Sequence, residues 1–291
     1  MSMTELVNAT EDTFESILDD LLAENSPVRR KFWRKIFSYA WKREENYNGF
    51  ILKNEGHVVG FLGTIFSKRI VDGRTYKFCN LTTWMVKPEF RNQSLRLLYP
   101  VLKMKDHIIT IHGGSERAVA IYKKLGFELL DEHYVVPLGI FNFFSWQNTP
   151  RLEIIMRPDD IRSLLGENHR AIFDDHKGLG VDNAVILDKE NGDYCYVVYG
   201  KKVKKGIPVT YIYYISDEKL FAQGIRKLHL KLLLHTWAPI ILIDSRFLHD
   251  VKPSWGIKLR TDRKRLYLNR LIGKDRIDFL YSEVILSDLP I

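Results

Sequence analysis

One order of strand and turn signals occurs twice in this chain, about 133 to 135 residues apart. In a chain of 291 residues, that steers folding towards two similar halves. In the first copy an apolar run from Phe50 to Leu52 ends at Asn54-Glu55-Gly56. A second run covers 57–66, Asp72-Gly73 marks a tight hairpin, and a third run covers 75–86. In the second copy Val185 to Leu187 precede Asn191-Gly192 and a run over 194–200. Residues 201–206 stand where 68–73 stood, and a further apolar run covers 209–215. Each copy continues with a helix-period stretch and a short strand, 94–103 and 107–112 in the first, 220–235 and 240–243 in the second. The repeat predicts two similar α/β domains, over 1–148 and 149–291. The crossover carries Phe141, Phe143, Phe144 and Trp146, an aromatic cluster that reads as a packed interface rather than a flexible linker.

Ahead of the first copy the period is helical. Phe14, Ile17, Leu18, Leu21 and Leu22 form one stripe behind Thr10 as N-cap. Phe32, Trp33, Ile36, Phe37 and Ala40 form a second stripe behind Ser26-Pro27. The net charge of +8 is segregated: residues 1–25 hold seven acids and no base, and residues 28–43 hold seven bases and no acid. These faces read as solvated or mutually paired rather than as ligand sites. Further basic stretches lie at 201–205 and 258–276. The latter is interleaved with Leu259, Leu266, Tyr267, Leu268 and Leu271, so it reads as an amphipathic helix facing solvent, and 279–286 reads as a closing strand.

Several classes are excluded. The strongly apolar stretch at 237–243 is far shorter than the roughly 18 residues of a membrane span. No basic segment followed by an apolar core opens the chain, as a secretory signal would. Cys79 and Cys195 make neither a disulfide framework nor a metal site. There is no zinc-ligand spacing, no Ser–His–Asp arrangement and no phosphate-binding G-x-x-x-x-G-K-S/T loop. A cytoplasmic protein without a metal is expected. The positive charge raises nucleic acid or another anion as a partner.

The chemistry concentrates between residues 80 and 128. A strand ends in Trp84-Met85-Val86, followed by Pro88 and Arg91, and Asn92-Gln93-Ser94-Leu95-Arg96 open the next helix. Ser115 then caps a helix carrying Ala118, Ile121, Tyr122 and Leu125, which ends at Gly126-Phe127. This stretch resembles the acetyl-CoA-dependent N-acetyltransferases of the GNAT superfamily, in which a V-x-P-x-x-R strand end is followed by an R/Q-x-x-G-x-G/A loop and a helix reading Y-x-x-x-G-F. Val86, Pro88, Arg91, Tyr122, Gly126 and Phe127 match. The resemblance covers about residues 45–137 and reaches the second half only through the repeat. It implies a tandem pair of GNAT-like domains, each a mixed, mostly antiparallel central sheet flanked by helices.

The resemblance also implies acetyl-CoA, or another acyl-CoA, as cosubstrate. The implied set holding it is Trp84, Met85, Val86, Arg91, Asn92, Gln93, Ser94, Leu95, Arg96 and Ser115. A pyrophosphate takes converging backbone N–H groups at a helix N-terminus, and an amide arm pairs with a free strand edge. Tyr122 takes the place of the family's tyrosine general acid towards the leaving thiolate, and the acceptor is an unidentified amine. Two departures stand out. Ser94 and Arg96 replace the small glycine-type positions; Arg96 either blocks the pyrophosphate or pairs with it. No carboxylate lies on the strand over 80–86, where many relatives place a base, and neither Thr82 nor Thr83 fills that role. His112 is the nearest titratable candidate. The expected function is therefore acyl transfer to an amine, with a degenerate second domain. The alternative is an inactive acyl-CoA-binding sensor. Nucleic-acid binding is weaker still, since the basic segments carry no aromatic recognition motif.

Overall fold

The computed structural model describes residues 4–22, 27–41, 43–130, 133–137, 151–248, 256–261, 263–269 and 271–287. The apolar runs of the first copy form a meander. β1 (Glu5–Asn8), β2 (Gly49–Asn54), β3 (His57–Val71) and β4 (Arg74–Val86) pair antiparallel in that order, and β5 (His107–Ile111) joins β4 in parallel. A short β6 (Glu128–Leu129) closes the set. Asp72 and Gly73 both have positive φ, as the hairpin between β3 and β4 requires. Around the sheet lie α1 (Phe14–Ile17), α2 (Pro27–Ser38), α3 (Tyr99–Leu102) and α4 (Glu116–Lys124). The core forms where the two faces of β3 and β4 meet the helices. Leu62, Phe66, Leu81, Leu97, Val101 and Tyr122 are all buried in it.

The second copy builds the same pattern. β7 (His133–Pro137) precedes α-free β8 (Leu152–Ile155), then come α5 (Pro158–Leu164), α6 (Glu167–Asp175), β9 (Asp182–Asp188), β10 (Tyr194–Lys204) and β11 (Ile207–Ile215). α7 (Glu218–Thr236), β12 (Ile240–Asp244) and β13 (Gly256–Arg260) follow. β8 to β11 pair antiparallel in sequence order, and β12 joins β11 in parallel. Gly224 lets α7 lie directly on β9, since a Cβ there would come within 2.6 Å of the Ile186 side chain.

Among the described residues each sheet has seven strands, and in each the sixth comes from the other half of the sequence. β14 (Leu266–Leu268) lies between β5 and β6 in the first sheet, antiparallel to both. β7 lies between β12 and β13 in the second, again antiparallel to both. The two sheets thus share strand order and direction throughout. Both carry a bulge between the third and fourth strands, at Leu62/Thr64 and, about 135 residues on, at Val198/Tyr199. Each is an α+β unit with a mixed, mostly antiparallel sheet.

The first unit comprises Met1–Leu130, Arg263–Ile272 and Tyr281–Ser287, and the second comprises Asp131–Asp262, Gly273–Leu280 and Asp288–Ile291. The division expected at 148/149 and the aromatic cluster Phe141, Phe143, Phe144 and Trp146 lie outside the described residues, as does Ser26. The units themselves are discontinuous, so no single cut separates them.

Three expected elements differ. The helix expected over 94–103 is a 3₁₀ path, Pro88–Leu97, followed by the single turn of α3. Pro100 has no N–H to donate to the carbonyl four residues back, so it stands in the first turn of a new helix, α3, rather than inside a continuous one. In place of the amphipathic helix expected over 258–276, the described residues form β13, β14 and a 3₁₀ turn at Lys274–Arg276; the exposed edges of β7 and β5 offer ladder partners that a solvated helix lacks. The closing strand expected over 279–286 is instead a turn with Tyr281 at φ 57°, followed by one helical turn, α8 (Glu283–Leu286). Its N-cap Ser282 accepts from the Val284 N–H.

Candidate active site at the open edge of β4

β4 pairs with β5 from Lys77 to Leu81 and no further, while its other edge stays paired with β3 to Val86. From Thr82 onward the β5-side edge of β4 is therefore splayed. The sheet pleat sends alternate side chains of this stretch to opposite faces. Trp84 packs on Tyr122 of α4, ring centroids 5.3 Å apart, and Tyr122 packs in turn on Phe127 at 5.1 Å. Thr83 accepts from the indole N–H of Trp33 in α2 at 3.1 Å. The Trp84 indole nitrogen is buried and has no hydrogen-bond partner among the described residues.

Tyr122 is 2% exposed, and among the described residues no hydrogen bond engages its hydroxyl. Burial pushes the phenol above its usual range, and the nearby Glu283 carboxylate adds to the shift. The hydroxyl therefore stays protonated at any working pH.

Glu283 was not among the residues singled out from the sequence, yet the first turn of α8 brings it to the splay. Its backbone N–H donates to Asn80 Oδ1 at 2.9 Å, and Asn80 is itself anchored on β5 by donating from Nδ2 to the Thr110 carbonyl at 3.2 Å. The carboxylate accepts from the His112 backbone N–H at 3.3 Å and from the Thr82 hydroxyl. Burial raises this carboxyl to about 7, against the opposing effects of Thr82, His112 N–H and the Arg263 charge. A carboxylate thus lies beside the β4 segment that carries none of its own. It was missed because 203 positions separate Glu283 from Asn80. The one local signal was the Ser282-Glu283 cap signature ahead of an apolar run.

The other expected residues are distributed as follows. His112 directly follows β5, is 4% exposed, and meets the site through its backbone N–H. Ser115 is the N-cap of α4, its hydroxyl accepting from Ala118 N–H at 3.3 Å. Arg91 and Asn92 are exposed on the 3₁₀ path, Leu95 is 39% exposed, and Ser94 is half-buried. Met85 and Val86 continue the open edge and pair with β3 at Phe61 and Gly60. Gln93 and Arg96 are tied to the start of β1. Arg96 Nη1 donates to the Thr4 carbonyl at 3.0 Å and to Gln93 Oε1 at 2.9 Å, and the Thr4 hydroxyl donates to the same Gln93 oxygen. The structure thus brings together Trp84, Tyr122 and the backbone of His112. Arg91 to Arg96 lie on the 3₁₀ path that leads into α3.

In the second unit the matching edge is filled. β11 leaves β12 after Tyr211, and the Phe279 N–H donates to the Tyr213 carbonyl at 3.3 Å. The Phe279 ring lies 5.6 Å from that of Tyr211 and 5.8 Å from that of Phe247. Among the described residues no group of three or more His, Cys, Asp or Glu side chains is arranged to hold a metal ion.

No family model matches the sequence. No curated protein matches it either. Solved structures do. A GCN5-related N-acetyltransferase from Kribbella flavida aligns over 91% of this chain and 70% of its own, at TM-score 0.59 and 14% identity. One from Anabaena variabilis ATCC 29413 aligns over 91% and 72%, at 0.57 and 14%. A conserved protein of unknown function from Enterococcus faecalis V583, described as a probable N-acyltransferase, aligns over 91% and 72%, at 0.56 and 13%. Likeness at such identity concerns the backbone path alone, and by that measure the chain has the fold of the GCN5-related N-acetyltransferases.

Proposed function

We propose that this protein moves an acyl group from an acyl-CoA to an amine by direct attack. The observation that carries the reading is the splayed β4 edge at Thr82 to Val86, with the Tyr122 ring packed on its Trp84. An amide chain such as pantetheine pairs along such an edge as an added strand. A carbonyl within reach of the Trp84 indole N–H would satisfy a buried donor, which otherwise costs about 1–3 kcal/mol. Tyr122, held protonated, gives the leaving thiolate its proton. The second unit, whose matching edge is occupied by Phe279, serves as a degenerate copy without a cosubstrate site. Buried, reduced Cys79 and Cys195 accord with a cytoplasmic setting.

One observation favours the sensor reading: Arg96, Gln93 and Thr4 close on one another where the family resemblance implies a glycine-type loop. Isothermal titration with CoA and acetyl-CoA, run beside a thiol-release assay over an amine panel, separates the two readings. Binding with thiol release supports transfer, binding without it supports the sensor, and no binding at millimolar ligand removes both.

A further inference from the structure

Direct amine attack needs a group to take the nitrogen's proton, and the strand that would ordinarily present one has only Thr82 and Thr83. We infer that Glu283, delivered by α8, is the general base of this site. The inference rests on the acyl-transfer reading above. Its geometry is fixed from three elements. Asn80 on β4 holds the Glu283 backbone, the His112 N–H at the end of β5 holds one carboxylate oxygen, and the Thr82 hydroxyl holds the carboxylate from the open edge itself. These contacts leave carboxylate lone pairs for an incoming N–H. Tyr122 on α4 is close enough to feel the carboxylate charge, so base and acid flank one edge of one strand.

Other charges lie on the elements around this group. Arg263, from the segment between β13 and β14, stabilises the carboxylate. α2 packs on α8 and carries Arg30, Lys31, Arg34 and Lys35, of which Arg30 and Arg34 are engaged by Glu15. A carboxyl that titrates at about 7 is half ionised at neutral pH, strong enough to accept a proton and weak enough to release it.

The step balances. The amine nitrogen attacks the thioester carbonyl carbon and a C–N bond forms. The C–S bond breaks and its electron pair stays on sulfur. The nitrogen's proton passes to the Glu283 carboxylate, and the Tyr122 hydroxyl protonates the thiolate. The proton on Glu283 then restores Tyr122 through solvent, leaving an amide and free CoA thiol.

The test compares the wild-type chain with Glu283→Gln and Glu283→Asp, using acetyl-CoA and an amine panel of glucosamine, spermidine and a lysine peptide. Wild-type kcat/KM should rise through an apparent pKa near 7. Glu283→Gln should keep acetyl-CoA affinity within about threefold, lose about 100-fold or more in kcat, and lose that limb of the profile. Glu283→Asp should retain the limb at an intermediate rate. It carries the test if the Gln variant does not fold. Ionisation of the acceptor is common to all three proteins, so a difference between their profiles belongs to residue 283. Full turnover with an unchanged profile in Glu283→Gln overturns the base while leaving acyl transfer standing. A wild-type chain that releases no thiol with any amine overturns acyl transfer, and the base with it.

Discussion

At the scale of single residues, Tyr122 and Glu283 are separable by experiment. The Tyr122 ring fills the core between Trp84 and Phe127, whereas its hydroxyl makes no hydrogen bond among the described residues. Tyr122→Phe is therefore expected to keep the midpoint of urea unfolding nearly unchanged while lowering kcat by about 10²–10⁴. Tyr122→Ala should cost about 3–5 kcal/mol through the cavity it leaves. Glu283 should show in stability as well as in rate. Its carboxyl rises from 4.5 in the open chain to about 7 in the folded one, so between these values the folded state binds the extra proton. Stability from this group is complete below about 4.5 and is lost as pH rises through about 7. The wild-type chain is accordingly expected to lose about 1–3 kcal/mol relative to Glu283→Gln between pH 5 and 8. Parallel unfolding curves for the two proteins across that range would show that the carboxyl is not desolvated.

At the scale of elements, hydrophobic period and turn chemistry made legible whatever was settled locally. The β2–β3–β4 meander, α7, the Gly126 helix end at φ 91° and the Asp72-Gly73 hairpin all follow from residues adjacent in sequence. The elements read otherwise were those decided by distant partners. Nothing adjacent in sequence tells Leu266 and Tyr267 where to pair; they become a strand because β5 and β6 leave a gap of one strand between them. The same holds for the candidate site: the place of Tyr122 on α4 beside Phe127 is legible locally, but that of Glu283 beside Asn80 is not. The 3₁₀ path over Pro88–Leu97 shows the opposite failure, a helical period overruled by Pro100. On this path Arg96 acts as a strut to the start of β1. Arg96→Ala is expected to cost about 1.5–3 kcal/mol, the value of a charged hydrogen bond, and to speed hydrogen exchange at the amides of Leu6 to Asn8. Unchanged exchange in β1 would mean that the strand holds its place through its ladder to β2 alone.

At the scale of the whole molecule, the two sheets repeat one plan but are not two independent chains joined end to end. Among the described residues each seven-stranded sheet takes its sixth strand from the other half of the sequence, and the candidate base reaches the first sheet from α8. Folding of the first unit therefore waits on residues about 135 positions beyond its last continuous segment, a non-local closure of the kind that couples cores and slows assembly. The consequence is measurable in one side chain. Leu266 is fully buried in the core of the first unit, packed with Ile109 and Ile111 of β5. Leu266→Ala should cost about 2–5 kcal/mol. Because β7 ties the second sheet to the first half in the same reciprocal way, that loss should move one shared unfolding transition, seen alike by far-ultraviolet circular dichroism and by tryptophan fluorescence. Two transitions, only one of them shifted by the substitution, would mean that the exchanged strands dock after two independently stable cores have formed.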